Sequence, residues 1–139
     1  MADKTMQDVA ELMKDIDLCM LTTTTTNGML ASRPMSNNGE VEYDGNSYFF
    51  TWENSRMVGD IELDNGVNLT FQTGDKDLFI AISGKAEVTR EKDEMKEHWQ
   101  DQLSAWFEDG LDTEGLAMIT VKAKRIKYWQ GEDEGEVSL

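Results

Sequence analysis

Three segments of this chain place apolar side chains at every second position, which is the spacing of a half-buried β-strand. The pattern is clearest between Val67 and Gln72, where apolar and polar residues alternate without interruption. Three earlier segments are predicted as strands from a run of threonines, a hairpin turn and a cluster of aromatic residues. Turn-forming clusters at 27–28, 37–39, 65–66 and 73–75 separate several of these segments. Strands are expected at residues 18–26, 29–36, 47–52, 67–72, 78–88 and 117–128. Because no regular alternation of strand and helix joins them, we predict a mainly β domain, a six-stranded antiparallel barrel with flanking helices.

Two local signals refine these strands. The pair Asn27-Gly28 tolerates positive φ at both residues and predicts a hairpin closed by a type I′ turn. Further along, the apolar positions of the last strand change parity between Ala123 and Ile126. One extra residue in a strand moves all later side chains to the other face, so the sequence predicts a bulge near Lys124 and Arg125.

Helical spacing is found in three places. Thr5 and Asp8 resemble a capping box ahead of apolar residues at 9, 12, 13 and 16. Asn54 or Ser55 is expected to cap a short second helix, and a third helix is expected from residue 95 to residue 110. The domain is expected to span residues 1–130, followed by a flexible acidic tail at 131–139.

The charge of the chain restricts its partners. A net charge of −15, from 28 acidic and 13 basic residues, repels nucleic acid and anionic lipid surfaces. The N-terminus has no apolar signal segment, and no stretch has the length of a membrane span. Cys19 is the single cysteine, which excludes an intrachain disulfide and suits a reducing compartment. We therefore expect a cytoplasmic protein that binds neither nucleic acid nor membranes.

The residue counts also restrict the chemistry. With one cysteine and one histidine, a zinc site of cysteine and histidine ligands cannot be built within one chain. His98 lies among acidic residues in a predicted helix, where a solvated side chain is a simpler interpretation than a general base. The sequence therefore predicts no metal site and assigns no catalytic residue.

The segment from Arg33 to Arg56 carries the groups that a phosphate ester needs. Phosphate binds to guanidinium forks, hydroxyl groups and free backbone N–H groups. Thr51, Ser55 and Arg56 supply such groups around a strand-to-helix turn, and Arg33 lies in an earlier strand. The alternative is structural: the two hydroxyl residues cap the turn, and the two arginines pair with nearby acids. The residues alone leave both interpretations open.

Several motifs follow one another in an order that resembles a known family. Arg33-Pro34-Met35, Phe50-Thr51 and Ser55-Arg56 are followed by Asn-Gly-Val-Asn-Leu-Thr-Phe and by Ser-Gly-Lys-Ala-Glu-Val. This order is similar to that of the pyridoxamine 5′-phosphate oxidase-like FMN-binding split barrels, and more narrowly to the general stress protein 26 group. The resemblance implies a split barrel that binds FMN as a homodimer, with the flavin at the interface.

The resemblance also implies roles for particular residues. The flavin phosphate would be held by Arg33, Thr51, Ser55 and Arg56. Main-chain groups around Met35 and Ser36 would meet the polar edge of the isoalloxazine ring, and Phe50 would support its flank. Trp129 would lie near the flavin of the partner subunit, although packing at the edge of the core explains a tryptophan there equally well.

Three departures from the family pattern narrow the function. Met57 stands where members often have a lysine for the phosphate, Phe79 stands where true pyridoxamine phosphate oxidases have a flavin-contacting glutamine, and their basic C-terminal motif is missing. The resemblance therefore implies a general stress-type FMN protein with a small-molecule electron donor or acceptor. FMN-dependent oxidoreductase activity is one hypothesis. Non-catalytic binding or sensing of flavin, haem or deazaflavin is the alternative.

Overall fold

The structure is a computed structural model that describes residues 5–14, 16, 18–36, 43–73 and 77–139. The predicted turns at 37–39 and 73–75 lie wholly or partly outside the described residues. The helices are α1 (Met6–Met13), α2 (Arg56–Leu63) and α3 (Lys92–His98). The strands are β1 (Leu18–Thr24), β2 (Leu30–Ser36), β3 (Asn46–Trp52), β4 (Gly66–Thr73), β5 (Leu78–Thr89), β6 (Leu116–Gln130) and β7 (Asp133–Ser138).

The described strands form one antiparallel sheet in the order β2-β1-β4-β5-β6-β3, with β7 also paired to β6. β5 follows one edge of β6 for nearly its whole length, while β3 and β7 share the other edge, one after the other. All six strands predicted from the sequence are present, which confirms the mainly β antiparallel fold.

The bulge predicted in the last strand is confirmed. Ser83 of β5 pairs with Arg125 of β6, but the next residue, Gly84, pairs with Ala123, so Lys124 is the extra residue. A Cβ atom at position 84 would overlap the carbonyl oxygen of Lys122. The bulge thus depends on a residue without a side chain at this point of closest approach.

The hairpin between β1 and β2 is present, but the predicted type I′ turn is wrong. Gly28 has a φ of 82°, whereas Asp77 is the one described non-glycine residue with positive φ, so Asn27 does not have the required conformation. The loop is wider than two residues: the amide of Thr25 donates to the carbonyl of Met29 at 2.7 Å. This matches hairpins in which an ordinary turn is followed by one left-handed glycine.

The predicted helix caps at Thr5 and Ser55 are formed, but the third helix is shorter than predicted. The capping box of Thr5 and Asp8 is formed, and the Ser55 hydroxyl accepts a hydrogen bond from Val58 at the start of α2. α3 ends at His98, because Trp99 and Gln100 are extended, and a short 3₁₀ turn at Asp101–Ala105 follows. The aromatic side chains beyond α3 pack against β3, and this packing overrides the helical spacing.

The acidic tail is not a free end. Residues 133–138 form β7 and pair with β6, although the sequence predicted a flexible segment at 131–139. Gly131 turns the chain with a φ of 60°, and Gly135 lies so close to Tyr128 that a Cβ would overlap its ring. The strand was missed because its side chains lack an alternating apolar pattern, while its backbone completes an edge that β3 leaves free.

Two hydrophobic clusters lie on opposite faces of the sheet. The main core fills the face that we call the inner face, between the strands and the helices α1 and α2, and it contains fully buried Leu21, Leu69, Phe71 and Ile119. A second cluster covers the opposite side of β3 and the first part of β6, where Met95 and Phe107 pack. The remainder of that opposite side is called the outer face below.

Candidate functional site

Arg33 lies in β2 with its side chain on the inner face, opposite Leu21 of β1. Its Nη1 atom donates to the Leu21 carbonyl at 3.1 Å and to the Thr23 hydroxyl at 2.9 Å. Thr23 is 1% exposed, so the guanidinium contacts a buried polar group of β1. The remaining nitrogens of the guanidinium make no hydrogen bond with any described residue and are available to a ligand.

A buried carboxylate lies near this guanidinium. Asp60 of α2 is 2% exposed, and its Oδ2 atom has no hydrogen-bond partner among the described residues. Burial lowers the pKa of Arg33 from its usual value, while the negative charge of Asp60 raises that pKa. α2 packs directly on β1, which brings the helix over the strand that carries the Arg33 contacts.

The start of α2 holds the next two predicted residues. Ser55 is the N-cap, and its hydroxyl accepts from the Val58 amide at 3.3 Å. Helix geometry leaves the amides of Arg56 and Met57 without a carbonyl partner inside the helix. Arg56 is exposed, whereas Asp60, one helical turn further along α2, is buried.

Thr51 and Phe50 occupy opposite faces of β3. Thr51 is half-buried and on the same side of the strand as Phe49 of the main core. Phe50 packs on the other side, where its ring meets Trp99 edge-on with centroids 5.2 Å apart. The structure therefore brings Thr51, but not Phe50, to the face that carries Arg33.

Two further predicted residues lie along β2. Met35 is half-buried against the main core, and Ser36 is exposed at the end of the strand. Among the described strands β2 pairs with β1 alone, as Pro34 predicts for an edge strand, so part of its main chain faces away from the sheet. A ligand can approach the main chain from that side. Met57, in contrast, is 7% exposed and belongs to the main core, so its side chain does not stand beside Arg56.

Trp129 lies on the outer face, away from Arg33. It pairs with Phe79 across β5 and β6, and the Lys127 amine lies 5.7 Å from the centre of its ring. Its side chain is 37% exposed. Within one protomer the structure therefore does not bring Trp129 to the residues around the start of α2.

The arginines divide into two groups. Arg90 pairs with Glu53 and Glu62, and Arg125 pairs with Glu136. Within the described part of the chain, Arg33 and Arg56 have no carboxylate oxygen within 4.0 Å. The structural alternative, in which these two arginines pair with surrounding acids, is therefore not what this part of the structure has. In a chain of net charge −15, two such guanidinium groups are a feature that needs another explanation.

Asp60 is the residue that the sequence analysis missed. Acidic residues are so numerous here that one more carries no signal by composition. A signal did exist in the spacing: Met57, Val58 and Ile61 form the buried stripe of α2, and residue 60 falls within the same stripe. A carboxylate at such a position is unusual because burial of an unpaired charge is costly.

The other titratable groups do not join this site. His98 was interpreted as solvated, but its ring is half-buried and stacks on Tyr48 with centroids 3.5 Å apart. An open cavity of about 580 Å³ is lined by the end of α2 and part of β5. Another, of about 590 Å³, is lined by parts of β1, β4 and β5 and includes Thr23. Within the described ranges no cluster of three metal-ligating side chains occurs, and no helix is long and apolar enough to cross a membrane.

Comparison with known proteins identifies the family of this chain. The model of the family described as pyridoxamine 5′-phosphate oxidase like matches residues 4–139. The chain belongs to this family. Protein bli-3 of Neurospora crassa is 26% identical over 135 residues, which cover 91% of this family member. The match extends over 65% of bli-3, so the chain spans less than two thirds of the length of that curated relative.

Solved structures show the same fold. A protein of Clostridium acetobutylicum related to general stress protein 26 superposes with a TM-score of 0.83 at 19% identity, covering 95% of this chain and 92% of the other. The general stress FMN/FAD binding protein of Xanthomonas citri superposes with a TM-score of 0.77 at 22% identity, covering 96% and 94%. At these identities the likeness establishes the split-barrel fold of this family member.

Proposed function

We propose that this protein binds FMN, with the flavin phosphate held between Arg33 and the start of α2. The proposal rests on two arginines without an acidic partner among the described residues. Arg33 contacts β1, and Arg56 lies at the N-terminus of α2. A guanidinium without a paired carboxylate keeps its donors for an external anion. The Xanthomonas citri relative is named as an FMN/FAD binding protein, which supports a flavin as the ligand.

The other groups at this site fit a phosphate ester. The amides of Arg56 and Met57 point out of the first turn of α2, where the helix dipole favours an anion. The Thr51 and Ser55 hydroxyls lie on the segment that leads into the helix. Met57 contributes its amide and not a charge, so the site has one cation fewer than a Ser-Arg-Lys sequence would provide.

The chain's own residues bind and orient the cofactor. When bound, the isoalloxazine ring supplies the capacity to accept and release electrons. We propose that this capacity serves an FMN-dependent oxidoreductase reaction with a small-molecule donor or acceptor. Phe79 stands at the glutamine position of pyridoxamine phosphate oxidases, so vitamin B6 oxidation is not proposed.

We further propose that the protein is a homodimer. Exposed apolar side chains collect on the outer face, at Leu18 (61% exposed), Met20 (41%) and Phe79 (42%), beside Trp129. Pairing through β4 places them in adjacent rows of one sheet surface. Exposed apolar side chains grouped on one face often mark a protein–protein contact. A partner covering this face would receive Trp129, which agrees with the predicted place of this residue near the partner's flavin.

The visible spectrum of the purified protein tests flavin binding. We expect absorption in the flavin region after addition of FMN and removal of unbound ligand. Riboflavin, which lacks the phosphate, is expected to be retained much more weakly. A protein that remains colourless after FMN addition would contradict the proposal. If FMN is retained, anaerobic reduction by a nicotinamide donor followed by turnover with an acceptor separates an oxidoreductase from a non-catalytic binder.

A further inference from the structure

Asp60 places a carboxylate in the buried stripe of helix α2. Its Oδ2 atom accepts no hydrogen bond from the described residues, and the side chain is 2% exposed. Such a group is destabilising unless a nearby charge compensates for its lost hydration. Helix α2 continues through this position between the core residues Val58 and Ile61, so an apolar residue would fit the stripe.

Arg33 is the cation on which the charge of this carboxylate acts. Its guanidinium is anchored at one nitrogen, Nη1, by the Leu21 carbonyl and the Thr23 hydroxyl. The other two nitrogens make no hydrogen bond with a described residue. α2 packs over β1 on the same side, and the negative charge of Asp60 acts on Arg33 across this contact.

We propose that Asp60 is a positioning residue for Arg33, its negative charge favouring the orientation in which the free edge of the guanidinium receives the phosphate of the flavin. This inference rests on the proposed function. Asp60 does not touch the ligand in this account; it acts through Arg33. Its negative charge opposes the phosphate, and we infer that the gain from an oriented donor fork exceeds this repulsion.

The first arm of the test uses the protein without flavin. Unfolding free energies are measured for the wild type, Asp60→Asn, Arg33→Gln and the double variant. We expect the effect of Asp60→Asn to change when Arg33 has already been replaced, because the two charges are coupled. Additive effects would overturn the proposal. If Asp60→Asn yields no folded protein, Asp60→Ser takes its place in the cycle.

The second arm measures dissociation constants for FMN and riboflavin with the same variants. We expect Asp60→Asn to weaken FMN binding about tenfold, with little change for riboflavin. No further loss of FMN affinity is expected when Asp60→Asn is added to Arg33→Gln. Glu62→Gln, an exposed acid-to-amide change on the same helix, is the matched control and should alter neither constant.

The outcomes separate the two proposals. Equal weakening of FMN and riboflavin by Asp60→Asn would indicate general damage to the site, and tighter FMN binding would show that repulsion dominates. Either result overturns the positioning role while flavin binding stands. If the wild type binds neither flavin, the proposed function fails, and the positioning role toward a phosphate fails with it. The cycle on the flavin-free protein then still shows whether Asp60 and Arg33 are coupled.

Discussion

Arg33 of β2 donates a hydrogen bond to the hydroxyl of Thr23 on β1, with 2.9 Å between Nη1 and Oγ1. The two residues lie on the inner face of the sheet, two positions apart in the register of the strand pair. Thr23 is 1% exposed, so its hydroxyl has few alternatives to this donor. The buried hydroxyl of Thr23 thus helps to fix the position of the Arg33 guanidinium.

Replacement of Thr23 by valine keeps the shape of the side chain and removes the hydroxyl. We expect the free energy of unfolding to fall by about 1 kcal/mol and FMN binding to weaken, since Arg33 keeps the Leu21 carbonyl as its sole anchor. Thr120→Val, on a strand that pairs with neither β1 nor β2, is the control for flavin affinity. Chemical denaturation and a flavin titration measure both effects; unchanged values for Thr23→Val would remove this contact from the account.

The bulge in β6 makes a separate prediction about stability. Gly84→Ala would place a Cβ against the Lys122 carbonyl, and we expect a loss of about 1 to 3 kcal/mol in unfolding free energy because the backbone must shift. Gly59→Ala is the matched control: no heavy atom lies within 4 Å of the position that its methyl group would take, and alanine favours the helix. Equal stability of the two variants would show that the strand pairing at Gly84 is not as described.

The apolar outer face predicts the oligomeric state. We expect the wild type to sediment as a dimer and Phe79→Glu to sediment as a monomer, because a charge would be buried at the interface. Trp106→Glu changes a more exposed aromatic residue, 75% exposed, outside this face and should remain dimeric. A monomeric wild type would contradict both the dimer and the two-subunit flavin site.

Cys19 should be chemically silent in the folded protein. It is 3% exposed, and burial raises its pKa to about 12, so almost no thiolate exists at pH 8. We expect a thiol reagent such as 5,5′-dithiobis(2-nitrobenzoate) to react slowly with the native protein and at once in denaturant. Rapid stoichiometric labelling of the native protein would contradict the burial of this thiol.

Features fixed by neighbouring residues could be predicted from the sequence. The capping box at Thr5, the cap at Ser55 and the bulge at Lys124 follow from short-range hydrogen bonds and side-chain parity, and all three are present. The helix beyond Trp99 was wrong because packing of aromatic residues against β3 outweighs local spacing. Strand β7 was missed because backbone pairing, and not side-chain pattern, holds it.

The residues of the candidate site also differ in whether the sequence could predict their positions. The motif order placed Ser55 and Arg56 at a helix start, which the structure has. The opposite faces of Phe50 and Thr51 follow from strand geometry and could have been derived. The proximity of Arg33 and Asp60 could not, because it depends on how α2 lies across β1, a contact between residues far apart in the chain.

The most direct test of the account is the dissociation constant for FMN of Arg56→Ala beside that of Arg125→Ala. We expect Arg56→Ala to lose about 1.5 to 3 kcal/mol of binding free energy, roughly 10- to 150-fold in affinity. Arg125 is already paired with Glu136, so its replacement should leave the constant within about twofold of the wild type. An unchanged constant for Arg56→Ala, or an equal loss in both variants, would contradict a phosphate site at the start of α2.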